Sequence, residues 1–190
     1  MDRSNGNNGD VAVGHREDGQ VRVQIESERG MIEVAIETLR APVTAANFLR
    51  YVGDGCYDGG QFHRTVTMDN QSDNAVRIEV IQAGINPDRA AALREPIPLE
   101  RTSSTGLAHR DGTISMARST SDSAVADFFI CIGDQPSLDF GGARNPDGQG
   151  FAAFGQVIRG MDIVRAIQTA PAEGQKLTPP VRILRAQRAE

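Results

Sequence analysis

Val21-Arg22-Val23-Gln24-Ile25-Glu26, Glu28-Arg29-Gly30 and Ile32-Glu33-Val34-Ala35-Ile36-Glu37 decide the fold class. Val21, Val23 and Ile25 alternate with charged or amide residues, and Ile32, Val34 and Ile36 alternate with Glu33 and Glu37. A period of two sends one set of side chains to a single sheet face, and Gly30 supplies the positive φ of a turn. The stretch predicts a β-hairpin with one buried face. Residues 1–20 ahead of it are rich in Asn, Gly and Asp with almost nothing to bury. A disordered tail is expected over 1–20 and one domain over 21–190.

After the hairpin, Pro42 opens a helical stretch in which Ala45, Phe48, Leu49 and Val52 fall at i, i+3, i+4, i+7, and Gly53 with Gly55 ends it. Short β-prone runs follow at 61–66, 76–83, 97–100, 113–117, 127–132 and 152–158. A second short helix fits 161–168, with Met161, Val164 and Ile167 inward, and a last strand fits 181–187. Many short strands with two brief helices give a mainly β chain, an antiparallel barrel or sandwich with helical caps. The loops 86–94 and 140–150 sit outside the regular pattern, and the long loops 67–75 and 140–150 read as partner-binding loops or tolerated insertions.

Composition narrows the function. With 190 residues, 39% of them hydrophobic, the chain buries a core without disulfide or metal staples. A net charge of −5 gives no electrostatic case for nucleic acid. No apolar run approaches the ~18 residues of a membrane span, so no membrane role is expected. The first apolar stretch, Val11-Ala12-Val13, is too short for a signal-peptide core. The polar start favours the cytoplasm, and a processed periplasmic form would look the same. Two cysteines make no scaffold, and reduced thiols are the default.

Most catalytic classes fail on spacing. His15, His63 and His109 show no metal-ligand pattern, so neither a metal nor another cofactor is expected. His109, Asp111 and Ser115 are crowded along one short stretch, and coincidence explains them better than a hydrolytic triad. Gly53-x-Gly55 and Gly141-Gly142 lack the long helix of a phosphate-binding loop. Asp134 and Asp139 read as members of a solvated turn. Cys131, on the apolar run Phe128-Phe129-Ile130-Cys131, reads as an inert buried thiol, and Cys56 as a loop thiol. What remains is a combination. Phe62-His63-Arg64 sets a guanidinium at the end of a strand. Val80 and Gln82 share one sheet face, opposite Glu79 and Ile81. Phe128 and Phe129 face opposite sides, one for the core and one for a pocket.

Ala41-Pro42-x-Thr44-Ala45-x-Asn47-Phe48, Phe62-His63-Arg64, Val80-Ile81-Gln82-x-Gly84 and Gly112-x-Ile114-Ser115-Met116-Ala117 recur in a known order. Asp127-Phe128-Phe129-Ile130-Cys131, Leu138-Asp139, Phe154-Gly155 and Gly160-Met161-Asp162-Ile163-Val164 continue it. The ordered series resembles the cyclophilin family of peptidyl-prolyl cis–trans isomerases, and the loop from Asp139 to Gly148 resembles a bacterial branch. The resemblance implies an eight-stranded antiparallel barrel capped by two α-helices, with an outer groove that takes Xaa-Pro segments of peptides and unfolded proteins. It implies catalytic roles for Arg64 and Gln82. Phe129 becomes the pocket floor, and Val80, Ala117, Leu138, His63 and Phe151 become substrate-binding. A monomer is expected, and cyclosporin-like ligands at weakened affinity.

Departures from the family pattern bear on the pocket. Glu79 stands where an aromatic wall is common, Ser137 where a Trp is usual, Phe151 where a His is usual, and Asp127 where a Gln is common. A shallower pocket and a different substrate preference are expected. The competing reading is a module that captures proline segments in the same groove without turnover.

Overall fold

The structure is a computed structural model that describes residues 19–189. The tail expected over 1–20 lies outside the described residues except at its end, where Gly19 sits in a turn and Gln20 already belongs to the first strand. The hairpin forms as its alternation predicts, from β1 (Gln20–Ser27) and β2 (Gly30–Glu37), with Val23 opposite Val34 and Ile25 opposite Ile32. All four of these side chains are buried.

The remaining strands are β3 (Gln61–Val66), β4 (Val80–Gly84), β5 (Thr113–Met116), β6 (Phe128–Cys131), β7 (Ala153–Arg159), β8 (Ala172–Glu173) and β9 (Lys176–Arg188). They pair in the order β1-β2-β7-β5-β6-β4-β3-β9, and β9 returns to β1. Eight antiparallel strands therefore close on themselves, with β8 as a short appendage of β9. Closure removes sheet edges, which is how a sheet of short strands hides its backbone donors.

Helix α1 (Pro42–Gly53) turns Phe48, Leu49 and Val52 into the barrel. Its N-terminus receives no local side-chain cap. Glu100 supplies one from afar, accepting from Val43 N (3.2 Å), Thr44 N (2.8 Å) and Thr44 Oγ1 (2.6 Å). A one-turn helix, α2 (Thr102–Thr105), follows that residue. Helix α3 (Met161–Gln168) buries Val164 and Ile167 against the barrel, and Met161 is only partly covered. Aromatic rings fill the interior. Phe48 meets Tyr57, Phe128 and Phe154 at centroid distances of 5.4, 5.5 and 5.2 Å.

Three expected strands differ from those observed. The run at 97–100 contributes only one bridge, Ile97 to Ala124, because Pro98 has no N–H to continue a ladder. The strand expected at 76–83 begins at Val80. Upstream, Gln71 serves the Ile78 backbone in place of a strand, accepting from its N–H (3.2 Å) and donating to its carbonyl (2.6 Å). The last strand extends back from the expected 181–187 through Pro179-Pro180 to Lys176.

Candidate functional site

The site begins with an irregularity in β3. Strict alternation would send Arg64 to the same side as Phe62, which is fully buried in the core. The pairings of β3 with both β4 and β9 shift register between Phe62 and Arg64. This bulge at His63 re-aims the next side chain, so Arg64 emerges on the outer face of the barrel. There it lines a groove of about 620 Å³ with Gln82, Val80, Ala117, Phe129, Leu138 and Phe151. Gly84 in the Gln82-x-Gly84 motif has a steric reason: a Cβ at that position would collide with Asp127 Oδ1.

Arg64 is held by amides. Its Nη1 donates to Gln82 Oε1 (3.1 Å), and its Nε (2.9 Å) and Nη2 (2.6 Å) both donate to Gln175 Oε1. No carboxylate pairs with it among the described residues. Burial lowers its pKa from the ordinary arginine value, because the cation has given up part of its hydration. Gln82 in turn donates through Nε2 to Asp127 Oδ2 (3.1 Å), which fixes the amide with its oxygen toward Arg64. The same carboxylate oxygen lies 3.0 Å from His63 Nε2.

Phe129 lines the apolar floor of the groove, and Phe128 takes the opposite sheet face. Phe128 enters the barrel core, whereas Phe129 joins a second cluster with Val66, Ile78, Val80, Cys131 and Leu138. Phe151 stands edge-on to Phe129 at 5.3 Å, and Arg118 covers the Phe151 ring at 5.1 Å. Behind the floor, His109 stacks on Phe129 at 6.0 Å with an interplanar angle of 13°. The His109 Nδ1 lies 2.7 Å from Asp139 Oδ1, and Nε2 lies 2.9 Å from Ser115 Oγ. Serine, histidine and aspartate thus do converge, with Asp139 rather than Asp111 as the carboxylate. Ser115 is completely buried and His109 is 1% exposed, so no substrate reaches this hydroxyl. Burial raises the Asp139 carboxyl, but hydrogen bonds from the His109 ring and backbone N–H outweigh it and hold the pKa below its ordinary value.

Several sequence expectations need correction. Glu79 is not in the groove. It accepts from Gln168 of α3 (2.8 Å), and Ile78 supplies apolar surface on the groove side. The backbone N–H of Ala117 is already donated to Asp127 O (2.9 Å), leaving its methyl and carbonyl to face a ligand. His63 lines a neighbouring cleft of about 400 Å³ on the other side of Arg64, together with Gln61, Gln175, Leu177 and Pro180. Ser137 does not line the groove; its carbonyl accepts from Arg144 N (3.1 Å). Both cysteines are buried and free, and burial pushes the Cys131 thiol far up. Among the described residues no three His, Cys, Asp or Glu side chains gather as a metal site.

Sequence reasoning missed Gln175 and Arg144. Gln175 sits in the tight turn between β8 and β9, more than a hundred residues after Arg64, and no local pattern signals the contact. Arg144, from segment 140–150, reaches Gln71 Oε1 (3.0 Å) and Val76 O (2.6 Å), joining the two irregular loops along the groove.

A closed barrel with an outer groove, an outward arginine tied to a glutamine and an adjacent phenylalanine floor defines a class, and comparison with known proteins agrees. Residues 21–188 match the family model for cyclophilin type peptidyl-prolyl cis-trans isomerase/CLD. Peptidyl-prolyl cis-trans isomerase A of Dickeya dadantii is 34% identical over 152 residues, covering 80% of this chain and 73% of that one. Peptidyl-prolyl cis-trans isomerase cyp18 of Streptomyces antibioticus is 33% identical over 161 residues, covering 83% and 90%. A crystal structure of a Cryptosporidium parvum cyclophilin-type isomerase superposes with a TM-score of 0.72 at 19% identity, over 90% of this chain and 98% of that one. The chain belongs to the cyclophilin-type peptidyl-prolyl cis–trans isomerase family, and its bacterial relatives support the branch expected from the loop.

Proposed function

We propose that this isomerase accelerates Xaa-Pro rotation by anchoring the proline ring on Phe129 while Arg64 stabilises the twisted amide. The uncatalysed barrier is ~18–20 kcal/mol, because resonance across the C–N bond is lost at the top. A gain of about a million-fold needs roughly 8 kcal/mol. No nucleophile is needed. In the planar amide the prolyl nitrogen is a poor acceptor; in the twisted amide its lone pair is localised and accepts an Arg64 N–H. The interaction is stronger in the transition state than in the ground state, which is the requirement for catalysis.

The observation that carries this reading is the setting of Arg64: a partly desolvated cation, oriented by two neutral amides and paired with no carboxylate among the described residues, beside an apolar floor. Val80, Leu138, Ala117 and Phe151 complete the apolar surface around Phe129. Proline-containing peptides and unfolded proteins are the substrates. The chain acts as a monomer, and cyclosporin-like macrocycles bind the same groove weakly, since the chain has no Trp to wall it.

The test is cis–trans exchange of a short Xaa-Pro peptide by NMR, run on wild type and Arg64→Ala with peptide affinity measured for both. Rapid exchange that collapses in the variant while affinity changes little is the expected result. Binding without acceleration in wild type would leave a proline-peptide adaptor instead.

A further inference from the structure

We propose that Gln175 is a positioning residue for Arg64, and that segment 67–75 is its support. The inference rests on the catalytic reading of Arg64. A guanidinium offers five N–H donors. Gln175 Oε1 takes one from Nε (2.9 Å) and one from Nη2 (2.6 Å), and Gln82 takes one from Nη1 (3.1 Å). One N–H on each of the two terminal nitrogens remains uncommitted to these partners. Gln82 alone is a single contact, about which the guanidinium can pivot. The two-point hold of Gln175 removes that rotation.

Gln175 is itself anchored. Its Nε2 donates to Asn70 O (3.1 Å), which orients the amide with its oxygen toward Arg64. Its backbone carbonyl accepts from Thr65 N (2.9 Å), one residue beyond Arg64. Asn70 is fixed from both sides: Nδ2 donates to Thr65 O (3.0 Å) and Gly174 O (3.1 Å), and Oδ1 accepts from Thr67 N (2.9 Å). The stretch from Thr65 to Asn70 and the turn at Gly174-Gln175, remote in sequence, are thereby bound around one side chain. The segment 67–75, irregular in pattern, has a physical assignment as the back wall of the arginine.

A positioning role also needs somewhere for Arg64 to go when the hold is lost, and the cleft of about 400 Å³ beyond it supplies the room. Arg64 and Gln175 line that cleft together, and Arg64 alone of the two also lines the groove. Without the acceptor at 175 the guanidinium swings between the two clefts. A displacement of about 1 Å from productive geometry can cost on the order of 100-fold in rate. Partial occupancy of the productive position points to a loss of about tenfold. Gln175 makes this hold with a neutral oxygen, so the cation keeps its charge for the substrate.

The experiment compares wild type, Gln175→Leu, Gln175→Glu and Arg64→Ala, using peptide exchange, peptide affinity, thermal melting and the side-chain Nε–H signal of Arg64 by NMR. In wild type that signal is expected to exchange slowly with water. Gln175→Leu is expected to lose this protection and about tenfold in catalysed exchange, while affinity and melting temperature stay near wild type. Gln175→Glu keeps an acceptor at the same reach, so it is expected to retain the protected signal, while its carboxylate pairs with the guanidinium and lowers the rate below wild type. A wild-type rate in Gln175→Leu, or a protected Nε–H signal there, overturns the proposal while leaving Arg64 as the catalytic group. A rate loss matched by an equal loss of affinity or a fall in melting temperature overturns it too, since that describes damage to the groove. Full activity in Arg64→Ala instead overturns the catalytic reading, and the positioning role with it.

Discussion

Arg118 and Arg64 line the same groove in opposite electrostatic settings. Arg118 gives both terminal nitrogens to Asp147 (2.9 and 3.0 Å) and its Nε to Gly150 O (2.8 Å), and its side chain is 1% exposed. Among the described residues Arg64 meets amide oxygens and no carboxylate at ion-pair distance. The first arrangement ties a loop to the barrel and braces Phe151; the second holds a cation ready for a ligand. Residue type alone does not distinguish them. What an arginine can do is set by whether its partner is charged.

The largest break in this comparison is Arg64→Ala. Loss of a transition-state donor typically costs about 10²–10³-fold in turnover. Peptide exchange is expected to fall by that order with a small change in affinity, as separate exchange and titration measurements will show. Arg118→Met reverses the pattern. It keeps the length and removes the charge, leaving Gly150 O without its Arg118 donor and Asp147 with the Gln149 N–H but no cation. Unfolding should become easier by about 1–3 kcal/mol in urea titration, with a smaller loss of exchange than Arg64→Ala. A rate loss as large as that of Arg64→Ala would show that both arginines act on substrate.

Asp127→Asn sharpens the contrast from the side. The carboxylate now dictates which end of Gln82 faces Arg64. Asparagine can donate as well as accept, so Gln82 is free to turn over, and one hydrogen bond of about 0.5–1.5 kcal/mol is at stake. The expected outcome is a two- to tenfold loss of exchange with unchanged unfolding. The smallest effect concerns the floor. Asp139 has a lowered pKa, so between its folded and unfolded values the unfolded chain binds more protons. Its contribution is therefore complete above the ordinary carboxylate value of about 3.9 and is lost as pH falls through the lower folded value. Urea midpoints of wild type and Asp139→Asn should differ at neutral pH and converge in acid. A difference that persists in acid would mean that the carboxylate's charge contributes nothing to holding His109.

Most of the fold was legible because its signals are local. The alternation through Val23 and Ile25, Pro42 at a helix start and the apolar spacing of Val164 and Ile167 each act within one turn or one hairpin. That one of Phe128 and Phe129 leaves the core was legible for the same reason, since neighbours in a strand must diverge; that it is Phe129 came from the family motif. Arg64 was found through its family motif; alternation would have buried it, and the bulge at His63 has no local residue signature. Gln175 and Arg144 were invisible because their contacts join loops across the barrel. Pro179-Pro180 hid the start of β9, since prolines read as breaks where this strand runs on through them.

That strand bears on the order of assembly. Hydrogen bonds from β9 go to β3 on one side and to β1 on the other, so neither the seam nor the turn bearing Gln175 exists until this segment has docked. On a translating ribosome, seven of the eight staves can be present while the cylinder remains open. The hold on Arg64 is thus completed late, when the strand at the far end of the barrel's sequence docks and brings Gln175 with it.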